Sequence, residues 1–200
     1  MKRRLALCFV LCAASVGPAL AGEIRERTTF FMVRGKTFDE LNRQLGMNGP
    51  DLGRGARHAG STEVSFKSNV SYKNQTGGCG IRHAQVTLDL HTTLPRWASP
   101  ANSSPDTRTL WKTLREDIAT HEAEHSHIAK LWLKRIEAKL RTLPPERTCS
   151  AMEARVNESV RTLLKQHESE QIAFDAAESR RIDARLKRKL QENLSRVAKR

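Results

Sequence analysis

The sequence contains no apolar run of about 18 residues or more, so a bilayer-spanning helix in the mature chain is excluded. It has no Gly-x-Gly-x-x-Gly run and no Walker-type loop, which argues against an enzyme that cradles nucleotide phosphates. Aromatic residues make up only 5% of the 200 residues, with a single Tyr. Hydrophobic residues reach 38%, low for a globular chain yet above a disordered composition. Acidic charge is in deficit, with 22 Asp and Glu against 35 Lys and Arg, a formal net charge of +13. The length suits one domain with a modest core.

The first residues read as a targeting segment. Lys2, Arg3 and Arg4 form a positive start, Leu5 to Val16 is a short apolar run, and Ala19-Leu20-Ala21 is a small-residue cleavage site. This pattern predicts a secretory signal peptide over residues 1–21, a mature chain beginning at Gly22, and export to the periplasm or beyond. A lipoprotein fits less well, because Phe9-Val10-Leu11 before Cys12 lacks the small residues that such processing wants. Cys8 and Cys12 leave with the signal. Cys79 and Cys149 remain in an oxidising compartment, where two thiols most simply form one disulfide. Metal ligation by this pair is the alternative, but the two lie far apart and lack Cys-x-x-Cys spacing.

The mature chain reads as a β-rich first half, 28–97, a helical hairpin, 107–178, and a basic tail, 179–200. Thr28 to Val33 is β-branched and aromatic, a strand signal. Thr37 and Glu40 form a capping-box pair at the start of a short helix expected to stop at Gly46. Val64, Phe66, Val70 and Tyr72 mark a half-buried strand, and Val86, Leu88 and Leu90 its expected hairpin partner across an Asn- and Gly-rich turn. After Leu94-Pro95-Arg96-Trp97 and a polar linker, a long amphipathic helix runs from Thr107 to about Thr142 and stops at Pro144-Pro145. A second begins near Cys149, and the two are expected to run antiparallel. The tail carries nine basic residues against Asp183 and Glu192. Ile182, Leu186, Leu190, Leu194 and Val197 recur at helical spacing along it, so it reads as a basic amphipathic helix. Such a helix is either a packed stripe with a solvated basic face or a contact for an anionic surface. Nucleic acid is not an expected partner of an exported chain.

The chemistry concentrates in His121-Glu122-Ala123-Glu124-His125, a His-Glu-x-x-His motif on the first long helix. Residues four apart lie one turn apart on one face, so both imidazoles can reach a single metal ion. Zinc accepts such nitrogens and keeps an open position in catalytic sites. Glu122 then stands as general base. A charged solvent face holding two His is the plainer alternative. Against it, His121 and His125 fall on the stripe of Ile118, Ile128 and Trp132, and a buried stripe holds two His only when they have partners. Spacing does not choose the third ligand. Opposite the motif an antiparallel helix would bring Gln166 to Gln171, with His167 and Glu168 among them, and Asp175 and Glu178 would fit with an offset. His58, His83, His91 and His127 read as surface.

An ordered set of these features carries a family resemblance. It comprises Val33-Arg34-Gly35, the helix with Leu41, Gly49-Pro50, Cys79 on a strand, Leu94-Pro95-Arg96-Trp97, Trp111 ahead of His121-Glu122-x-x-His125, and Cys149 opening the last helix. From Thr29 to about Arg181 the chain resembles the bacterial domain of unknown function 922, described as predicted secreted zinc-dependent proteases. The resemblance implies zinc at His121 and His125, Glu122 as base, and a Cys79–Cys149 disulfide. One segment departs from the family's pattern, which carries Tyr-Asp-x-x-Thr-x-His-Gly. This chain has Phe174-Asp175-Ala176-Ala177-Glu178-Ser179-Arg180-Arg181, so Asp175 matches while Glu178, Arg180 and Arg181 replace Thr, His and Gly.

The expectation is an α+β fold, a small antiparallel sheet with a short helix against a long antiparallel helical hairpin. The expected activity is zinc-dependent hydrolysis of peptide bonds, in protein or in an envelope polymer, with Asp175 as third ligand and Glu168, Glu178 and His167 as rivals. The alternative is a non-catalytic envelope-associated binding protein with a structural or degenerate metal site.

Overall fold

The computed structural model describes residues 22–51, 53, 57–98 and 103–197. The predicted signal peptide, residues 1–21, lies outside them, as do the side chains of Ile182, Leu194 and Val197 on the tail stripe. The chain forms a mixed α+β fold of three strands and four helices among these residues.

Strand β1, Glu23–Val33, is followed by helix α1, Phe38–Asn48. Thr37 caps α1 with Glu40 in a reciprocal capping box, satisfying two backbone N–H groups that the first turn leaves free. The helix continues through Gly46, where a sequence reading would stop it, and ends at Gly49, whose N–H bonds Leu45 O. A helical glycine costs only about 1 kcal/mol, less than the burial of Leu41 and Leu45 returns.

Strands β2, Ser61–Gln75, and β3, Gly78–Trp97, make a long antiparallel hairpin with a register shift at Ser71/Tyr72. The sheet order is β1-β3-β2, and β1 pairs with β3 in parallel, from Glu23↔Thr87 to Val33↔Trp97. The sheet is therefore mixed rather than purely antiparallel. A parallel pair needs a long crossover, and α1 with β2 supplies one. β1 also starts five residues earlier than its apolar signal, because the central strand offers its polar N-terminal stretch a ladder. Pro95 lies beyond Thr93, the last β3 residue paired to β2, where it interrupts no ladder on that side.

Helix α2, Pro105–Thr142, begins at Ser104, whose side chain accepts from Thr107 N–H, with Pro at the first turn. Helix α3, Cys149–Ser179, is capped by Thr148, and α4, Ile182–Val197, follows at once. Alternating Ala84, Val86, Leu88 and Leu90 of β3 bury one sheet face against Ala129, Leu133, Ile136 and Leu140 of α2 and Met152 and Val156 of α3. A second cluster joins Val33, Leu41 and Leu45 to Trp111 and Ile118 of α2. The Cys79–Cys149 disulfide ties β3 to the start of α3, and Cys79 also exchanges backbone hydrogen bonds with Glu146. Among the described residues no helix is long and apolar enough to cross a membrane.

Candidate metal centre

The middle of α2 meets α3 through polar contacts. Trp132 donates to Glu170, His125 meets Gln171, and His121 meets Asp175, so successive turns of α2 read against α3. Three atoms converge at that level. His125 Nε2 lies 2.9 Å from Asp175 Oδ1 and 3.1 Å from His121 Nε2, and His121 Nε2 lies 3.4 Å from the same Oδ1. His121, His125 and Asp175 are the one group of three metal-capable side chains found among the described residues. Donors bound at zinc distances in a tetrahedron stand about 3.3 Å apart, so the three observed edges fit that ion.

The surrounding hydrogen bonds fix which nitrogen faces the group. Gln171 uses both amide hydrogens, one to the His125 carbonyl at 3.1 Å and one to His167 Nε2 at 2.9 Å. Its Oε1 must then accept from His125 Nδ1, 2.6 Å away. This assigns the proton of His125 to Nδ1 and turns the Nε2 lone pair toward Asp175 and His121. Three acceptor-type atoms in mutual contact need a cation or a shared proton among them. His121 Nδ1 is buried with no hydrogen-bond partner among the described residues. Burial, reinforced by the neighbouring His125, holds the His121 imidazole below the usual His range, which favours the neutral form that ligates. Phe174 walls the group, with its ring 5.0 Å from both imidazoles.

Glu122 is 5% exposed and sits on the sheet side of α2. Thr62 of β2 donates its hydroxyl to the Glu122 carboxylate at 2.9 Å and stands 3.1 Å from the Glu122 carbonyl. Gly60 allows this approach, because a Cβ there would lie 2.8 Å from Ile118 and 3.0 Å from Glu122 Oε1. Burial raises the Glu122 carboxyl above the usual range, partly offset by the Thr62 hydrogen bond.

The remaining candidates lie elsewhere. Glu168 is exposed and outside the group. His167 is buried edge-on to Phe66 and bonded to Gln171, and burial lowers its imidazole. Glu178 pairs with Arg185. Arg180 is the exposed C-cap of α3. His58, His83 and His127 are exposed, and His91 bonds Thr29 across the sheet.

Sequence reasoning placed Gln171 opposite the motif without a role, gave Thr62 none, and left the tail's basic residues in solvent or on an anionic surface. Gln171 had a signal, since His167, Gln171 and Asp175 recur every four residues on one face of α3. Thr62 had none. Arg185 and Lys189 of α4 bond Asp117 of α2 at 3.0 and 2.9 Å, so part of the tail's charge is used inside the fold.

Compared with family models, residues 28–181 match the family described as a bacterial protein of unknown function (DUF922). The chain belongs to that family. No curated protein and no solved structure matches it. The matched span holds every residue of the donor group and ends just before α4.

Proposed function

We propose that this DUF922 chain is an exported zinc-dependent hydrolase of peptide (amide) bonds. The observation that carries the reading is the convergence of His121 Nε2, His125 Nε2 and Asp175 Oδ1 beside a buried Glu122. Two imidazoles and one carboxylate are a known donor set for catalytic zinc, leaving a fourth position for water or substrate. A zinc ion held there would polarise a scissile carbonyl and make water acidic enough to ionise near neutral pH.

The chain's own residues supply the rest. Gln171 holds the His125 ring in the tautomer that presents its lone pair. Asp175, 56% exposed, leaves one side of the group open to solvent and to an extended peptide. Glu122, held by Thr62 and raised by burial, takes a proton from water and returns it to the leaving amine. The helical hairpin of α2 and α3, fixed by the disulfide and the apolar core behind it, is the rigid frame for the donors. The candidate substrates are exported proteins and the peptide cross-links of an envelope polymer.

The test is metal content. The exported protein should hold near-stoichiometric zinc, and His121→Ala/His125→Ala should hold none. The wild type, but not Glu122→Gln, should then cleave peptide substrates. A folded, oxidised protein that takes up no zinc after reconstitution sinks the reading. The interest would then move to a non-catalytic role, with exposed Lys187, Arg188 and Arg196 of α4 facing an anionic surface.

A further inference from the structure

We propose that the amino terminus created by cleavage between Ala21 and Gly22 is a structural group, and that its ammonium pairs with the buried Glu137 carboxylate of α2. The proposal rests on the export reading above and adds a function for the processing event.

Glu137 lies in the apolar half of α2 and is 8% exposed. Its Oε1 is buried with no hydrogen-bond partner among the described residues. The nearest cation is Arg141, whose Nη2 stands 4.0 Å from the other oxygen, Oε2. A buried carboxylate oxygen without a donor is costly, so a donor is wanted at that point.

Gly22 is the residue that faces it. A Cβ built on Gly22 would lie 2.3 Å from Glu137 Oε1, 3.1 Å from its Cδ and 3.2 Å from Leu133 Cδ2. A side chain there would push the Glu137 carboxylate aside, and standard bond geometry places the Gly22 nitrogen within about 5 Å of Oε1. While the Ala21–Gly22 peptide bond is intact, that nitrogen is a neutral amide with one hydrogen. Hydrolysis of the bond consumes one water and gives a carboxylate on Ala21 and an ammonium on Gly22. The ammonium carries three hydrogens and a positive charge, and it rotates freely toward the carboxylate.

Two independent observations select the same residue. Ala19-Leu20-Ala21 places the cut before Gly22 from sequence alone. A Cβ at that position would displace Glu137 Oε1, a constraint that the cleavage motif does not impose. About two turns earlier on α2, the Lys130–Glu26 ion pair, 2.7 Å long, already joins β1 to α2. Processing would thus finish the attachment of the edge strand to the helix that carries the donor group.

The complete chain should be expressed in an exporting host and its N-terminus read by sequencing and intact mass. Gly22 is the expected first residue. Selective acylation of its α-amine near neutral pH, where lysines stay protonated, should lower Tm by about 3–8 °C in the wild type and leave Glu137→Gln unchanged. Should Glu137→Gln fail to fold, Gly22→Ala reads the same contact, and the exported, correctly processed variant should lose Tm by a similar amount. An unprocessed, retained chain overturns the export reading and this proposal together. Processing at another residue overturns the proposal alone. So does a blocked amine that shifts wild type and Glu137→Gln equally, or a Gly22→Ala protein as stable as wild type.

Discussion

Helix α2 is one element with two kinds of burial. From Ile128 to Leu140 it buries Ala129, Leu133 and Ile136 against β3 and α3, a job that needs only volume and pattern. From Thr113 to His125 the same helix buries Asp117 and Glu122 and half-buries His121 and His125. Each of those polar groups takes a partner from a different element: Thr62 from β2, Gln171 and Asp175 from α3, Arg185 and Lys189 from α4. Apart from the buried Glu137 and the Trp132–Glu170 hydrogen bond, the apolar half asks only for the right period and volume. The polar half works only when three separate segments arrive together, and such concentrations of buried polar groups are where function is sought.

The largest effect should come from emptying the polar half. His121→Ala/His125→Ala is expected to abolish metal uptake outright, measured by elemental analysis, while the metal-free protein stays folded with a modest loss of Tm. Removing two imidazoles takes away two of the three mutually facing acceptors, and the metal-free fold gives up the His125–Gln171 hydrogen bond and the ring contacts with Phe174. A metal-free variant that unfolds would make the donor group a folding element and erase the contrast between the halves.

The apolar half should respond in the opposite way. Ile136 is fully buried among Leu88, Ala129 and Met152. Ile136→Ala should cost about 2–5 kcal/mol in denaturant unfolding and leave zinc stoichiometry intact. Reducing Cys79–Cys149, which are 70 residues apart, should cost up to about 4 kcal/mol by freeing the unfolded chain.

A smaller effect tests how the halves are joined. Gln171→Ala removes the acceptor that sets the His125 tautomer but no proposed ligand. It should weaken zinc binding about 10–100-fold, read by competition with a chelating dye, and cost about 1–3 kcal/mol of stability for the hydrogen bonds it gives up. Gln171→Glu retains an acceptor for Nδ1 and should recover part of the loss.

What the sequence discloses follows the same division. The capping box at Thr37 and Glu40 and the alternation of Val86, Leu88 and Leu90 are local patterns, and the structure places them as read. The parallel pairing of β1 with β3 is not local, because it depends on where a 44-residue crossover returns the chain. At the site, the four-residue spacing of His121 and His125 is visible in one line of sequence. The choice among Asp175, Glu168, Glu178 and His167 is not. Glu178 is set apart by Arg185, a residue of the next helix, and His167 by Gln171. The hydroxyl that holds Glu122 comes from a strand 60 residues away and has no signature at all.

The smallest expected effect discriminates the halves by pH. Asp117 is buried, which alone would raise its carboxyl. Hydrogen bonds from Arg185 and Lys189 outweigh that burial and hold it below the usual Asp range. With the folded pKa below the unfolded one, the unfolded chain binds the proton more readily. The resulting stability is present above about pH 4 and is lost as pH falls through the folded value. Glu23, Glu40 and Asp89 are also held low, but by partners at the surface, where such contacts contribute little. Asp117→Asn should therefore flatten the decline of Tm below pH 4, most visibly in signals that report the docking of α4. Ile136→Ala should lower Tm across the whole pH range, since it removes apolar packing and no ion pair. Parallel pH profiles for the two variants would mean that α4 is not held through Asp117, and that the polar half of α2 contributes to the fold by packing alone.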